Sequence, residues 1–170
     1  MATTPTKFGS LEDFSKGRVE IINDDPRNYV FSNVFEVAKV SAPYERVAVG
    51  QNLEYVIEAA RAEGQSPWFS CAHDEFALCM DGEIEVHFVK LPELAAVVDP
   101  TSEGAVRLED EQVSGEPMGR VVLRRGHMAM LPFGSAYRFQ ANRTGVVLFQ
   151  TIVGDVTVMK WADICQTEPA

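Results

Sequence analysis

Two short segments of this chain carry a frame of turn residues that limits what it can fold into more than any other feature. In EFALCMDG six residues separate Glu75 from Gly82. In GHMAMLPFG five residues separate Gly126 from Pro132, and Gly134 lies two positions further on. Glycine reaches backbone angles closed to other residues, and proline presets its own. Each segment therefore reads as a strand held between tight turns, and Gly82, Gly126, Pro132 and Gly134 read as residues that specify the fold and take no part in a reaction.

From Val34 onward the chain is a series of short apolar runs: VFEVAKV, YERVAV, PWFSC, EIEVHFVKL, RVVLRR, MAMLPF, AYRFQ, VVLFQTIV and VTVMKW. Many short strands punctuated by Gly and Pro predict an all-β sandwich or barrel. With 170 residues there is material for one well-buried core. Residues 1–33 read as an N-terminal arm with a short helix over 11–16, residues 34–161 as a single barrel, and residues 162–170 as a tail. Residues 92–119 form an acidic insertion in which Arg107 is the one basic residue. Its length marks a solvated, mobile connection or a segment with a binding or lid role.

The two frames resemble the motifs of the cupins, G-x5-H-x-H-x3-4-E-x6-G and G-x5-P-x-G-x2-H-x3-N, which implies a jelly-roll β-barrel with short helical terminal extensions. The same frame favours a strand for the segment around Leu53, Tyr55, Ile57 and Ala59. Local pattern leaves that segment open, because Leu53, Val56, Ile57 and Ala60 also fit a helical stripe. The ligand slots of the motifs hold other residues. Counting back from Glu75 puts the paired histidines on Phe69 and Cys71, or on Trp68 and Ser70. The third histidine falls on Tyr137, and the asparagine on Ala141, with Asn142 one place late.

A cupin metal centre needs imidazoles and a carboxylate converging on one face. Here only Glu75 keeps its place, and its simpler role is a buried carboxylate bonded by neighbours. Strand alternation would turn Cys71, His73 and Glu75 to one side, so an atypical site from Cys71, His73, Glu75 and Tyr137 is the one metal alternative. The phenol of Tyr137 reads as a plug in the barrel mouth, or else as a group that orients a ligand. His87 and His127 are lone histidines on strands and read as packed or solvated. The three cysteines, Cys71, Cys79 and Cys165, lack C-x-x-C spacing and read as free thiols.

The wording of PYERVAVG, SPWFSCAHDEF and RGHMAMLPFGSAYRF resembles the small subunit of two-subunit hydroquinone 1,2-dioxygenases, over roughly residues 28–92 and 119–161. That resemblance implies an iron(II)-dependent enzyme that opens hydroquinone to 4-hydroxymuconic semialdehyde. It also implies a larger cupin chain carrying the iron and a heterotetramer of two small and two large chains. No iron ligand transfers to this sequence, because the matching positions are Phe69, Cys71 and Tyr137. The small chain's role is then to hold its partner in active shape through its surfaces, with Trp161 as a candidate contact or a cap on the core.

Two other readings stand beside it: a stand-alone metal-free cupin that binds a small molecule, and a self-sufficient atypical metalloenzyme. A net charge of −10 argues against a nucleic-acid partner. The absence of a long apolar run argues against a membrane span, and MATTPTKFGS lacks secretory features. The expected location is cytoplasmic.

Overall fold

In chain order the computed structural model, which describes residues 9–15, 22–23, 33–93, 98–99, 101–109 and 113–160, has one helix and ten strands. The helix is α1 (Val34–Val40). The strands are β1 (Arg46–Asn52), β2 (Tyr55–Gln65), β3 (Phe69–Cys71), β4 (Glu75–Asp81), β5 (Glu83–Lys90), β6 (Ala105–Arg107), β7 (Glu116–Arg124), β8 (Met128–Leu131), β9 (Ser135–Ile152) and β10 (Thr157–Val158).

Strand β9, 18 residues long, organises the barrel. Its first half lies beside β5 and β3, with Phe88 and Phe69 both opposite Tyr137. Its second half lies between β2 and β4, so that Ile57 and Phe76 both face Gln150. One strand thus serves both layers of a curled sheet. The change of partner coincides with a bulge that breaks the β2 register between Ala62 and Gly64; bulges bend a strand in this way. The core runs along the barrel axis through Phe69, Tyr137, Phe139 and Phe149, each ring within about 6 Å of the next. The fold is the all-β cupin jelly roll that the motif frames predict.

The glycines of the two frames sit in turns with left-handed backbone. Gly82, Gly126 and Gly134 all have positive φ, at 79°, 84° and 79°. At Gly82 a Cβ atom would also lie 3.0 Å from the Cα of Gly145, so the β4–β5 turn packs backbone against backbone. Pro132 opens the turn before β9 and its carbonyl accepts from the Ser135 amide.

Three local expectations change. VFEVAKV is helical, because Asn33 caps it by accepting from the Phe35 amide, with Glu36 in the first turn and Lys39 in the last. Its buried residues Phe35, Val37 and Ala38 cover one end of the outer sheet, where Val37 packs with Val47 and Ala59. The expected helix over 11–16 is instead a bend at residues 11–13 followed by irregular chain, with Lys16 outside the described residues. So short a segment is marginal as a helix unless it is capped and packed, and here Ser10 and Asp13 bond each other across the bend. Leu11 and Phe14 pack beside Phe35. Finally, the described parts of 92–119 are tied to the barrel: β6 pairs with β3, β7 with β5, Leu108 donates to the Trp68 carbonyl, and Val98 is buried.

Candidate functional site

Strand β2 does alternate, but with the opposite face inward: Val56, Glu58, Ala60 and Ala62 are buried, while Tyr55 and Ile57 are exposed. The inward run puts a carboxylate, Glu58, inside the barrel. Arg46, the first residue of β1, is buried beside it. Glu75 opens β4, and Tyr137 points in from β9. A buried charge persists only when paired and hydrogen-bonded, and these four side chains meet that condition together.

Arg46 Nε donates to Glu58 Oε2 at 2.5 Å, and Arg46 Nη2 donates to Glu75 Oε1 at 2.8 Å. The second oxygen of each carboxylate accepts from a hydroxyl: Thr157 Oγ1 donates to Glu58 Oε1 at 2.6 Å, and the Tyr137 hydroxyl donates to Glu75 Oε2. Arg46 Nη1 lies 3.4 Å from the Tyr137 oxygen. The guanidinium carbon sits 4.2 Å from the centroid of Phe149 and 5.9 Å from that of Phe69.

Burial alone would push the Arg46 guanidinium down, but the Glu75 and Glu58 charges outweigh it and hold it well above its ordinary value. Burial and then the Glu75 charge push the Tyr137 phenol well above its ordinary value. For Cys71 the same two causes, in the same order, raise the thiol to about 12. Groups raised in the folded state stabilise fully below their unfolded pKa and lose that contribution as pH rises toward the folded value. Thermal stability is therefore expected to fall as pH climbs from about 9, where an unfolded thiol ionises, and more steeply above about 10, where an unfolded phenol does. Replacing Tyr137 by Phe should flatten the steeper part of a melting-temperature profile recorded from pH 7 to 11.

Of the sequence candidates, Cys71, Glu75, Tyr137 and Phe69 gather inside the barrel, all buried. Cys71 donates to the Gly104 carbonyl at 3.2 Å. His73 does not join them, because the chain bends between β3 and β4 and the alternation from Cys71 is broken. Its Nδ1 donates to the Asp74 carbonyl. His87 bonds Glu85 on its own strand, and exposed His127 accepts from the Arg124 amide. Trp161 and Cys165 lie outside the described residues.

The residues present do not fit the metal that a cupin frame implies. The cluster offers no imidazole, and the guanidinium of Arg46 already holds both of its carboxylates, Glu58 and Glu75. Among the described residues no group of three His, Cys, Asp or Glu side chains is placed to hold a metal ion.

The outer face of the same sheet is unusual in another way. One row of register partners, Ile57, Gln150, Phe76 and Met130, crosses β2, β9, β4 and β8, and all four are exposed. Apart from Gln150 that row is apolar, and the next row, Leu148, Leu78 and Met128, is wholly so. Helix α1 covers the end at Ala59 and leaves the rest open as a groove of about 510 Å³ with no charged residue in its lining. Outward positions of an antiparallel sheet in water are normally polar.

The fold and the buried cluster together define a cupin barrel in which Glu75 and Tyr137, at two of the ligand slots, are bound into a network with Arg46 and Glu58. The chain is similar over 98% of its length to 99% of a chain in the crystal structure of hydroquinone 1,2-dioxygenase from Sphingomonas sp. TTNP3 with 4-hydroxybenzoate bound, at 66% identity and a TM-score of 0.94. It is similarly matched, at 54% identity and a TM-score of 0.90 over 98% and 99% of the two chains, to hydroquinone 1,2-dioxygenase PnpCD in complex with Cd2+ and 4-hydroxybenzonitrile. The chain belongs to the hydroquinone 1,2-dioxygenase family, as a subunit of such an enzyme. A longer chain in the Sphingomonas enzyme crystallised with 4-nitrophenol shares the fold alone: 14% identity, a TM-score of 0.60, and 88% of this chain on 41% of that one. No family model and no curated protein matches the sequence. Among the described residues no helix is long and apolar enough to cross a membrane.

Proposed function

We propose that this chain is the non-metal subunit of an iron(II)-dependent, cytoplasmic hydroquinone 1,2-dioxygenase that opens the ring to 4-hydroxymuconic semialdehyde, and that it supports a larger cupin chain carrying the iron. The contrast between its two faces carries this reading. The interior, where a cupin does chemistry, is closed by the chain's own ion pairs, while the outer sheet presents an apolar, uncharged groove. Exposed apolar patches of this kind mark interaction surfaces.

The larger chain is the occupant that fits. A second copy would bring two chains of net charge −10 together without a single groove-lining charge to offset the repulsion. A longer chain with a region of the same fold occurs in the Sphingomonas relative. The assembly is then two small and two large chains, with the hydroquinone-type substrate bound at the level of the complex.

Purified alone, the chain should hold iron no better than background and consume no dioxygen with hydroquinone, and addition of the larger chain should restore turnover. Metal analysis and an oxygen electrode measure both. Turnover by the isolated chain would reverse the roles assigned here. A stable homodimer with saturable small-molecule binding would favour a stand-alone binding protein.

A further inference from the structure

The misfit between the cupin frame and its residues has a definite chemical form. Two carboxylates flank Arg46 inside the barrel, and each gives one oxygen to Arg46 and the other to a hydroxyl. The ring of Phe149 lies against the plane between them, with Phe69 further off. A divalent metal gains nothing from an aromatic face and needs more oxygen, nitrogen or sulfur donors than are free here. A planar, weakly hydrated monocation gains from both the carboxylate edges and the ring face. Specificity for such an ion is therefore built into Glu58, Glu75, Tyr137, Thr157 and Phe149, and does not reside in Arg46 alone.

We propose that this barrel is still a cation-binding site, converted from metal to guanidinium, and that its resident cation is tethered to the chain as Arg46. The cage would then accept a free guanidinium-type ion once the tether is cut. The aliphatic stem of Arg46 enters from the first position of β1, so truncation to Ala leaves space that methylguanidinium fills.

The test is thermal unfolding of the full chain with Arg46→Ala, titrated with methylguanidinium up to about 10 mM, well below denaturing concentrations. The variant is expected to melt about 10 °C below the wild type. Methylguanidinium should restore at least half of that loss saturably, with no effect on the wild type. Equal concentrations of sodium chloride, urea, Mn2+ or Zn2+ should restore none of it. Stabilisation by a divalent ion above that by methylguanidinium, or a folded variant indifferent to methylguanidinium, overturns the proposal. If Arg46→Ala does not accumulate, its refolding yield with and without methylguanidinium gives the same comparison. Arg46→Lys supplies an independent arm, since a compact ammonium cannot span both carboxylates. That variant should melt well below the wild type, and equality with the wild type also overturns the proposal.

Discussion

Replacing Ile57, Phe76 and Met130 together by Asp should abolish assembly with the larger chain while leaving the isolated subunit folded. The three side chains lie in one register row on the open face, 45%, 36% and 52% exposed, so charges there meet water in the free chain. Pressed against an apolar partner surface, the same charges are desolvated without partners. Central aromatic and aliphatic anchors each carry on the order of 2 kcal/mol in such interfaces. Even with non-additivity the triple variant should lose about 1000-fold in affinity, and dioxygenase turnover should fall with it at working concentrations. Co-purification and sedimentation of mixed subunits measure the first effect, and oxygen consumption the second. Melting of the free variant within a few degrees of wild type keeps misfolding out of the result. Wild-type assembly by the folded triple variant would move the interface elsewhere without touching the assignment of iron to the larger chain, which the metal analysis tests separately.

The fold was legible because it rests on turn chemistry. Gly82, Gly126, Pro132 and Gly134 act through the backbone, and backbone demands are written at single positions. Glu75 and Tyr137 were legible for the same reason, since spacing from those turns places them inside the barrel. Arg46 and Glu58 were not. In PYERVAVG an arginine between Glu45 and Val47 looks like an ordinary surface charge. In YVIEAARAE the apolar run Tyr55, Ile57 and Ala59 competes with Val56, Ala60 and Ala62 for the inward face. The rule that apolar side chains point inward picks the wrong set, because the outer face is itself apolar, under α1 at Ala59 and open at Ile57. Had the inward set been chosen by strand alternation from Val56, Glu58 would have stood out as a carboxylate in a core position requiring a buried cation. The helical start of VFEVAKV was visible in its Asn33 cap and its Glu36 and Lys39 charges, signals that the apolar pattern outweighed.

The second large effect concerns the interior. Glu75→Ala leaves Arg46 Nη2 and the Tyr137 hydroxyl, bonded to Glu75 in the native barrel, without their acceptor in a site where neither group reaches water. Breaking a buried pair from one side costs about 3–5 kcal/mol, and at this chain length the melting temperature should fall by about 10 °C. Glu75→Gln should cost less than half as much. It keeps the volume and one acceptor oxygen, and it leaves Arg46 opposite the Glu58 carboxylate with formal charges balanced. Combining Arg46→Met with Glu75→Leu should cost less than the two single losses added, because each single change strands a polar group that the double change removes. Thermal and denaturant unfolding of the wild type, the two single variants and the double variant measure this coupling. A Glu75→Ala subunit melting within about 2 °C of the wild type would show that the network is incidental to stability. Iron in the wild type that disappears in Glu75→Gln would instead make Glu75 a ligand, and the barrel a metal centre after all.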